Sequence, residues 1–162
     1  MSKIAFVFPG QGSQYVGMCK AFYDQYPVAR QLFEEADDAL GFSLTKLCFE
    51  GPEAELRLTY NTQPAILTAS TICAEILKQH GAVADIAAGH SLGEYSALVN
   101  AGAMKFADAV RIVRQRGQFM QEAVPVGEGS MSAVMGLAND KIVELCQKVE
   151  TETGLPVQAV NF

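Results

Sequence analysis

Five residues in mid-chain, Gly89-His90-Ser91-Leu92-Gly93, follow the apolar run 84–88 and open a helix-like segment at Glu94. Strand, tight turn and helix in that order are the setting of a G-x-S-x-G nucleophile elbow. Such a turn thrusts the Ser91 hydroxyl over the sheet edge and aims the next N–H groups and the helix dipole at a developing oxyanion. Gly89 and Gly93 keep the turn free of side-chain clashes, His90 shapes it, and Leu92 contributes its backbone N–H. The bland alternative is that Ser91 merely caps a helix. A serine nucleophile also needs a base, and the chain holds only two histidines. His90 is adjacent to Ser91, where side chains at a sharp turn diverge. His80 sits in the last turn before Gly81, where a partly cationic ring suits the helix dipole. These residues therefore offer a nucleophile without its base.

A second clue lies in the helical pattern from Phe106 to Val124. At about 100° per residue, Ala109, Ile112, Val113, Arg116, Phe119, Met120 and Ala123 share one face, with Arg111, Arg114, Gln118 and Gln121 opposite. Arg116 is expected at the centre of the apolar stripe. Its guanidinium cannot shed its charge and pairs bidentately with a carboxylate. Either it serves an internal acid or the rim, or it awaits an acyl group that carries a carboxylate of its own. The third clue is Gln11, in the loop after the first strand, where a Gly-flanked backbone could turn an N–H toward the elbow. The same loop could cradle phosphate, but Gly10-Gln11-Gly12 lacks the Walker lysine and the dinucleotide spacing.

The elements that position these residues read as α/β. The run from Lys3 to Phe8 lacks alternation, as expected of a strand covered on both faces, and ends at Pro9-Gly10. Helical patterns follow over Gly17 to Leu40 in two pieces divided before Pro27, Ser43 to Phe49, Glu53 to Leu58, and Thr62 to His80 with Gln63-Pro64 at its start. After the elbow come helices over Glu94 to Ala101 and Phe106 to Val124. Composition changes near Gly127. Beyond it, Met131 to Leu137 and Val157 to Val160 are strand candidates flanking a helix from Asp140 to Thr153 with Asn139 as its N-cap. At 162 residues and 49% hydrophobic content the chain suffices for one core and the start of a second unit. A net charge of -6 argues against nucleic-acid binding. The four cysteines form no C-x-x-C pair, which suggests buried free thiols and a reducing compartment, although disulfide or zinc use stays open. No leader pattern and no apolar window of about 18 residues stands out, so the expectation is a soluble cytoplasmic protein without a membrane partner.

With these residues in place, the chain resembles the malonyl-CoA:acyl carrier protein transacylase family. The likeness runs through Phe8-Pro9-Gly10-Gln11-Gly12-Ser13-Gln14, Thr62-Gln63-Pro64-Ala65, Gly89 to Leu98, Arg116-Gly117 and Val160-Asn161-Phe162. The resemblance implies an α/β-hydrolase-like parallel-sheet core over 1–126, incomplete here, and the start of an inserted ferredoxin-like subdomain over 127–162. It implies ping-pong transfer of a malonyl group from coenzyme A to the phosphopantetheine thiol of acyl carrier protein, for fatty acid or polyketide synthesis. Ser91 resembles the acylated nucleophile, Arg116 the clamp on the malonyl carboxylate, and the N–H groups of Gln11 and Leu92 the oxyanion hole. No metal or permanently bound cofactor is implied. The family's base histidine and an orienting glutamine belong to later segments that these residues do not match. The expectation is thus an N-terminal half that associates with its missing C-terminal half and does not transfer malonyl alone. A serine esterase or thioesterase, or a non-catalytic fragment, are the competing readings.

Overall fold

The computed structural model describes residues 3–125 and 127–162. Met1 and Ser2, read as leading straight into the first strand, lie outside the described residues, as does Val126. The chain divides into two units, Met1–Val126 and Gly127–Phe162. In the first, β1 (Ala5–Phe8) is followed by α1 (Lys20–Gln25), α2 (Pro27–Leu40), α3 (Leu44–Glu50), α4 (Glu53–Leu56) and α5 (Thr59–Gln79). Then come β2 (Ile86–Gly89), α6 (Gly93–Asn100) and α7 (Phe106–Ala123). The strands pair in parallel, Ala5 opposite Ile86 and Phe8 opposite Gly89. That register brings the carboxyl end of β1 and the elbow to one edge.

Local chemistry sets the helix boundaries. Pro27, whose missing N–H costs nothing in a first turn, starts α2, and Gly41 at φ 72° closes it. Asp37 accepts from the Ser43 hydroxyl at 2.9 Å and from Thr45 N–H at 2.9 Å, while Ser43 Oγ accepts from Lys46 N–H at 3.1 Å. One carboxylate thus ties the end of α2 to the capped start of α3. Helix α5 is the spine: residues 61–68 are all buried, and α2, α3, α4, α6 and α7 pack against it.

Helix α5 starts at Thr59, not at Thr62 as the sequence suggests, so Pro64 lies inside it. An interior proline leaves the carbonyl four residues earlier without its donor. That carbonyl belongs to Tyr60, and Arg114 Nη1 fills the vacancy at 3.1 Å. A donor from α7 therefore lets α5 run one turn further than its proline would suggest. Arg114 also bonds the Asn61 side chain and lies over the rings of Phe42 and Tyr60, at 4.7 and 4.8 Å.

The helical periodicity places Arg114 on the outer face of α7, and the structure reverses that. The buried stripe is Phe106, Ala109, Val110, Val113 and Gly117, while Ile112, Phe119 and Met120 stay exposed. Arg116 sits half-buried on the flank rather than at the stripe's centre. The reason is the close approach of α7 to α5. A Cβ on Gly117 would stand 2.5 Å from Tyr60 Cα, so the face that carries the small residue is the face that docks.

The strands differ from expectation as well. Phe6, Phe8, Ala87 and Gly89 are at least partly covered, but Ala5, Val7, Ile86 and Ala88 are exposed, Val7 by 77%. One face of this sheet is open where two covered faces were expected. In the second unit, α8 (Asn139–Thr153) forms and ends at Gly154, φ 71°. Asn139 is its first residue, not its cap, which is Ala138. The segments 131–137 and 157–160 are not strands. A strand exists only through its ladder bonds, and these two runs do not pair with each other.

Candidate functional site

The elbow rests on two glycines that no other residue could replace without movement. A Cβ on Gly89 would lie 1.9 Å from the Gly93 carbonyl carbon, and one on Gly93 would lie 2.2 Å from the Phe8 carbonyl oxygen. The first closeness lets the helix fold back onto its strand, and the second seats α6 against β1. Ser91 sits between them at φ 52°, a left-handed conformation that a residue with a Cβ rarely adopts. The turn is held by His90 N–H donating to Phe8 C=O at 3.0 Å and Gly93 N–H donating to His90 C=O at 2.8 Å. Ser91 is consequently exposed, while the Leu92 side chain is 1% exposed and anchors the turn in the core.

Arg116 Nη2 donates to Ser91 Oγ at 3.2 Å. Its Nη1 donates to Gln63 Oε1 at 2.6 Å, and its Cζ lies 5.8 Å from the centre of the Tyr95 ring. Gln63 is fully buried, and its Nε2 faces Met120 Sδ at 3.3 Å. The guanidinium is therefore oriented by a neutral amide and a π-face, with no carboxylate of the described residues paired to it. Its positive charge is left uncompensated beside a hydroxyl. Ile112, Phe119, Met120 and Ala123 line a shallow groove of about 390 Å³ next to it.

The loop after β1 approaches from the other side. Gly10 packs so closely on the elbow that a Cβ there would lie 2.8 Å from His90 O and 2.9 Å from His90 Nδ1. Ser13 Oγ donates to Gly10 C=O at 3.0 Å and Gln14 Oε1 accepts Gly12 N–H at 2.8 Å, so the loop is folded on itself. Gln11 Nε2 donates to Thr59 Oγ1, at the start of α5, at 3.2 Å. Among the described residues the backbone N–H groups of Gln11 and Leu92 have no acceptor. His80 sits at the end of α5 with its Nε2 3.4 Å from the Tyr26 hydroxyl, a packing role.

Ser91, Arg116 and the elbow glycines thus come together as the sequence suggests. Gln63, Tyr95, Arg114 and Gly117 are what residue-by-residue reading missed. Pro64 held the available signal, because an interior proline demands an outside donor and so points to a basic residue on a neighbouring helix. Among the described residues no three His, Cys, Asp or Glu side chains gather to hold a metal, and no helix is long and apolar enough to cross a membrane.

Residues 5–155 match the acyl transferase domain family. The malonyl CoA-acyl carrier protein transacylase of Bacillus subtilis strain 168 is 56% identical over the whole chain, which covers 51% of that relative. The enzyme of the same name from Escherichia coli K12 is 52% identical over the whole chain and 52% of its own length. The crystal structure of FabD from Acinetobacter baumannii superposes with a TM-score of 0.89 at 52% identity, over 98% of this chain and 50% of that one. A type II polyketide malonyl-transacylase solved in complex with its acyl-carrier protein gives a TM-score of 0.87 at 47% identity, over 93% and 49%. The chain spans about half the length of the curated relatives it matches. The chain belongs to the acyl transferase domain family, and the relatives named above are malonyl CoA-acyl carrier protein transacylases.

Proposed function

We propose that this chain supplies the nucleophile and the carboxylate clamp of a transacylase that moves malonyl from coenzyme A to the phosphopantetheine thiol of acyl carrier protein. The observation that carries this reading is the 3.2 Å contact of Arg116 with Ser91 Oγ, on a guanidinium held only by neutral partners. In the first half-reaction Ser91 Oγ attacks the thioester carbonyl, its proton passes to a base outside these residues, and coenzyme A leaves as the thiol. The oxyanion meets the N–H groups of Leu92, at the start of α6, and of Gln11. The resulting ester keeps a free carboxylate about 4 Å from Oγ along three bonds of roughly 1.5 Å. Arg116 reaches it by exchanging its hydroxyl contact for a charge-assisted pair. The phosphopantetheine thiol then attacks the ester and releases Ser91.

The fold is read as an α/β-hydrolase-like core over 1–126 with the start of a ferredoxin-like subdomain over 127–162. The open sheet face at Val7 and Ile86 fits a core that the remaining half of the enzyme covers. That half would bring the base histidine, so the 162 residues alone are expected to show no turnover. The test is intact-protein mass after brief incubation with malonyl-CoA, on the chain alone and joined to the remaining half of the Bacillus subtilis relative. A malonyl adduct on the joined form that vanishes in Ser91→Ala supports the proposal. Hydrolysis of the thioester with no transfer to acyl carrier protein would make the protein a thioesterase instead, and absence of any adduct would leave a non-catalytic fragment.

A further inference from the structure

Of the two N–H groups proposed for the oxyanion, only one is held by a helix. Leu92 stands at the start of α6 with its side chain in the core. Gln11 lies in the run Gly10-Gln11-Gly12, outside any helix or strand. The glycine before it is required by contact, since a Cβ on Gly10 would stand 2.8 Å from His90 O. The same glycine makes the next peptide easy to turn, because without a Cβ it accepts backbone angles that other residues do not. Gly12, at φ 110°, adds freedom on the other side. Turning that peptide over would exchange the places of the Gly10 carbonyl and the Gln11 N–H while both Cα atoms stay put.

The loop contains a restraint against this. The 10–11 peptide is trans, so its C=O and N–H lie in one plane and point in opposite directions. Ser13 Oγ donates to the Gly10 carbonyl at 3.0 Å. Holding the carbonyl aims the N–H away from Ser13, where no acceptor among the described residues takes it. The other two bonds of the loop leave this plane unfixed. Gln14 Oε1 accepts Gly12 N–H, which belongs to the next peptide, and Gln11 Nε2 donates to Thr59 Oγ1 from a side chain.

We infer that Ser13 is a positioning residue of the oxyanion hole: its hydroxyl keeps the 10–11 peptide from turning over and so keeps the Gln11 N–H available to the reaction. This rests on the transacylase reading, in which that N–H stabilises the oxyanion formed when Ser91 attacks the thioester. In the turned-over peptide a carbonyl oxygen would take the place of the donor and repel the developing charge. Ser13 itself touches no reacting atom. Its effect therefore falls on the rate at which bound thioester acylates Ser91, not on the concentration that half-saturates it. The effect is the same for malonyl and acetyl groups, which pass through the same oxyanion, whereas a change at Arg116 or Gln63 separates the two.

The experiment uses the chain joined to the remaining half of the Bacillus subtilis relative. Rapid-quench intact mass follows the Ser91 acyl-enzyme over a range of malonyl-CoA and acetyl-CoA concentrations. Ser13→Ala removes one neutral hydrogen bond and should lower the maximal acylation rate roughly two- to tenfold for both thioesters, with half-saturation unchanged. Ser13→Asp puts an acceptor where the carbonyl needs a donor, captures the Gln11 N–H, and should approach the loss of a whole oxyanion donor, about 10²–10³-fold. Ser13→Thr keeps the hydroxyl and should restore the rate, and thermal melts of all three variants should match the unsubstituted form. Maximal rates unchanged in Ser13→Ala and Ser13→Asp, a loss confined to malonyl, a loss seen only in half-saturation, or Ser13→Thr no faster than Ser13→Ala would each overturn the inference and leave the transacylase reading standing. Absence of any adduct on the unsubstituted joined form would overturn both.

Discussion

Gln63→Glu asks whether the charge on Arg116 is reserved for a substrate. The two side chains have the same shape, and Gln63 is fully buried, so a carboxylate there has no water to turn to. It would take the Arg116 Nη1 contact, now 2.6 Å from an amide oxygen, as an internal ion pair. A malonyl carboxylate would then compete with a permanent one. A hydrogen bond to a charged partner contributes about 1.5–3 kcal/mol, and about 1.4 kcal/mol is a factor of ten. Malonyl loading should therefore fall roughly ten- to a hundredfold on these magnitudes, while acetyl loading, which has no carboxylate to lose, should hold or rise. The assay quantifies the Ser91 acyl-enzyme by intact mass after matched short incubations with malonyl-CoA and acetyl-CoA. It uses the chain joined to the remaining half of the Bacillus subtilis relative. Equal losses for both thioesters would make Gln63 a structural residue, and undiminished malonyl loading would show that Arg116 does not hold the carboxylate at all.

Three further outcomes follow from the geometry. Ser91→Gly should raise thermal stability by up to about 1 kcal/mol, because it relieves a left-handed φ of 52°, and should abolish acylation, whereas Ser91→Ala abolishes acylation without the stability gain. Gly117→Ala places a Cβ 2.5 Å from Tyr60 Cα, against backbone that cannot yield; overpacking of about 1–3 kcal/mol should outweigh the roughly 1 kcal/mol gained in helix propensity, lowering Tm and acylation together. Thiolate grows as pH rises through a group's pKa, so iodoacetamide labelling of Cys73 should climb around pH 7 while Cys48, pushed up to about 12, stays unlabelled.

What could be read from the residues, and what could not, divides along the range of the interactions. The elbow was legible because its parts are contiguous: the strand, the two glycines and the serine satisfy one another within five residues, and the first atoms a Cβ on Gly89 would meet belong to Gly93 and Glu94. Helix ends at Pro27, Gly41 and Ser43 were legible for the same reason. The facing of α7 was not, because that helix carries two apolar stripes and periodicity alone cannot say which one docks. Ala109, Val110, Val113 and Gly117 dock because a glycine permits backbone contact with Tyr60, and larger Ile112, Phe119 and Met120 are left beside the arginine. The strand candidates at 131–137 and 157–160 failed differently, since extended runs become strands only when a partner supplies the ladder. The placement of Arg116 thus depends on a long-range event. Had the other stripe docked, Arg116 would have been turned into the core to find an acid; because the small-residue stripe docks instead, it stands on the flank, held by Gln63 and facing Ser91 with its charge unspent.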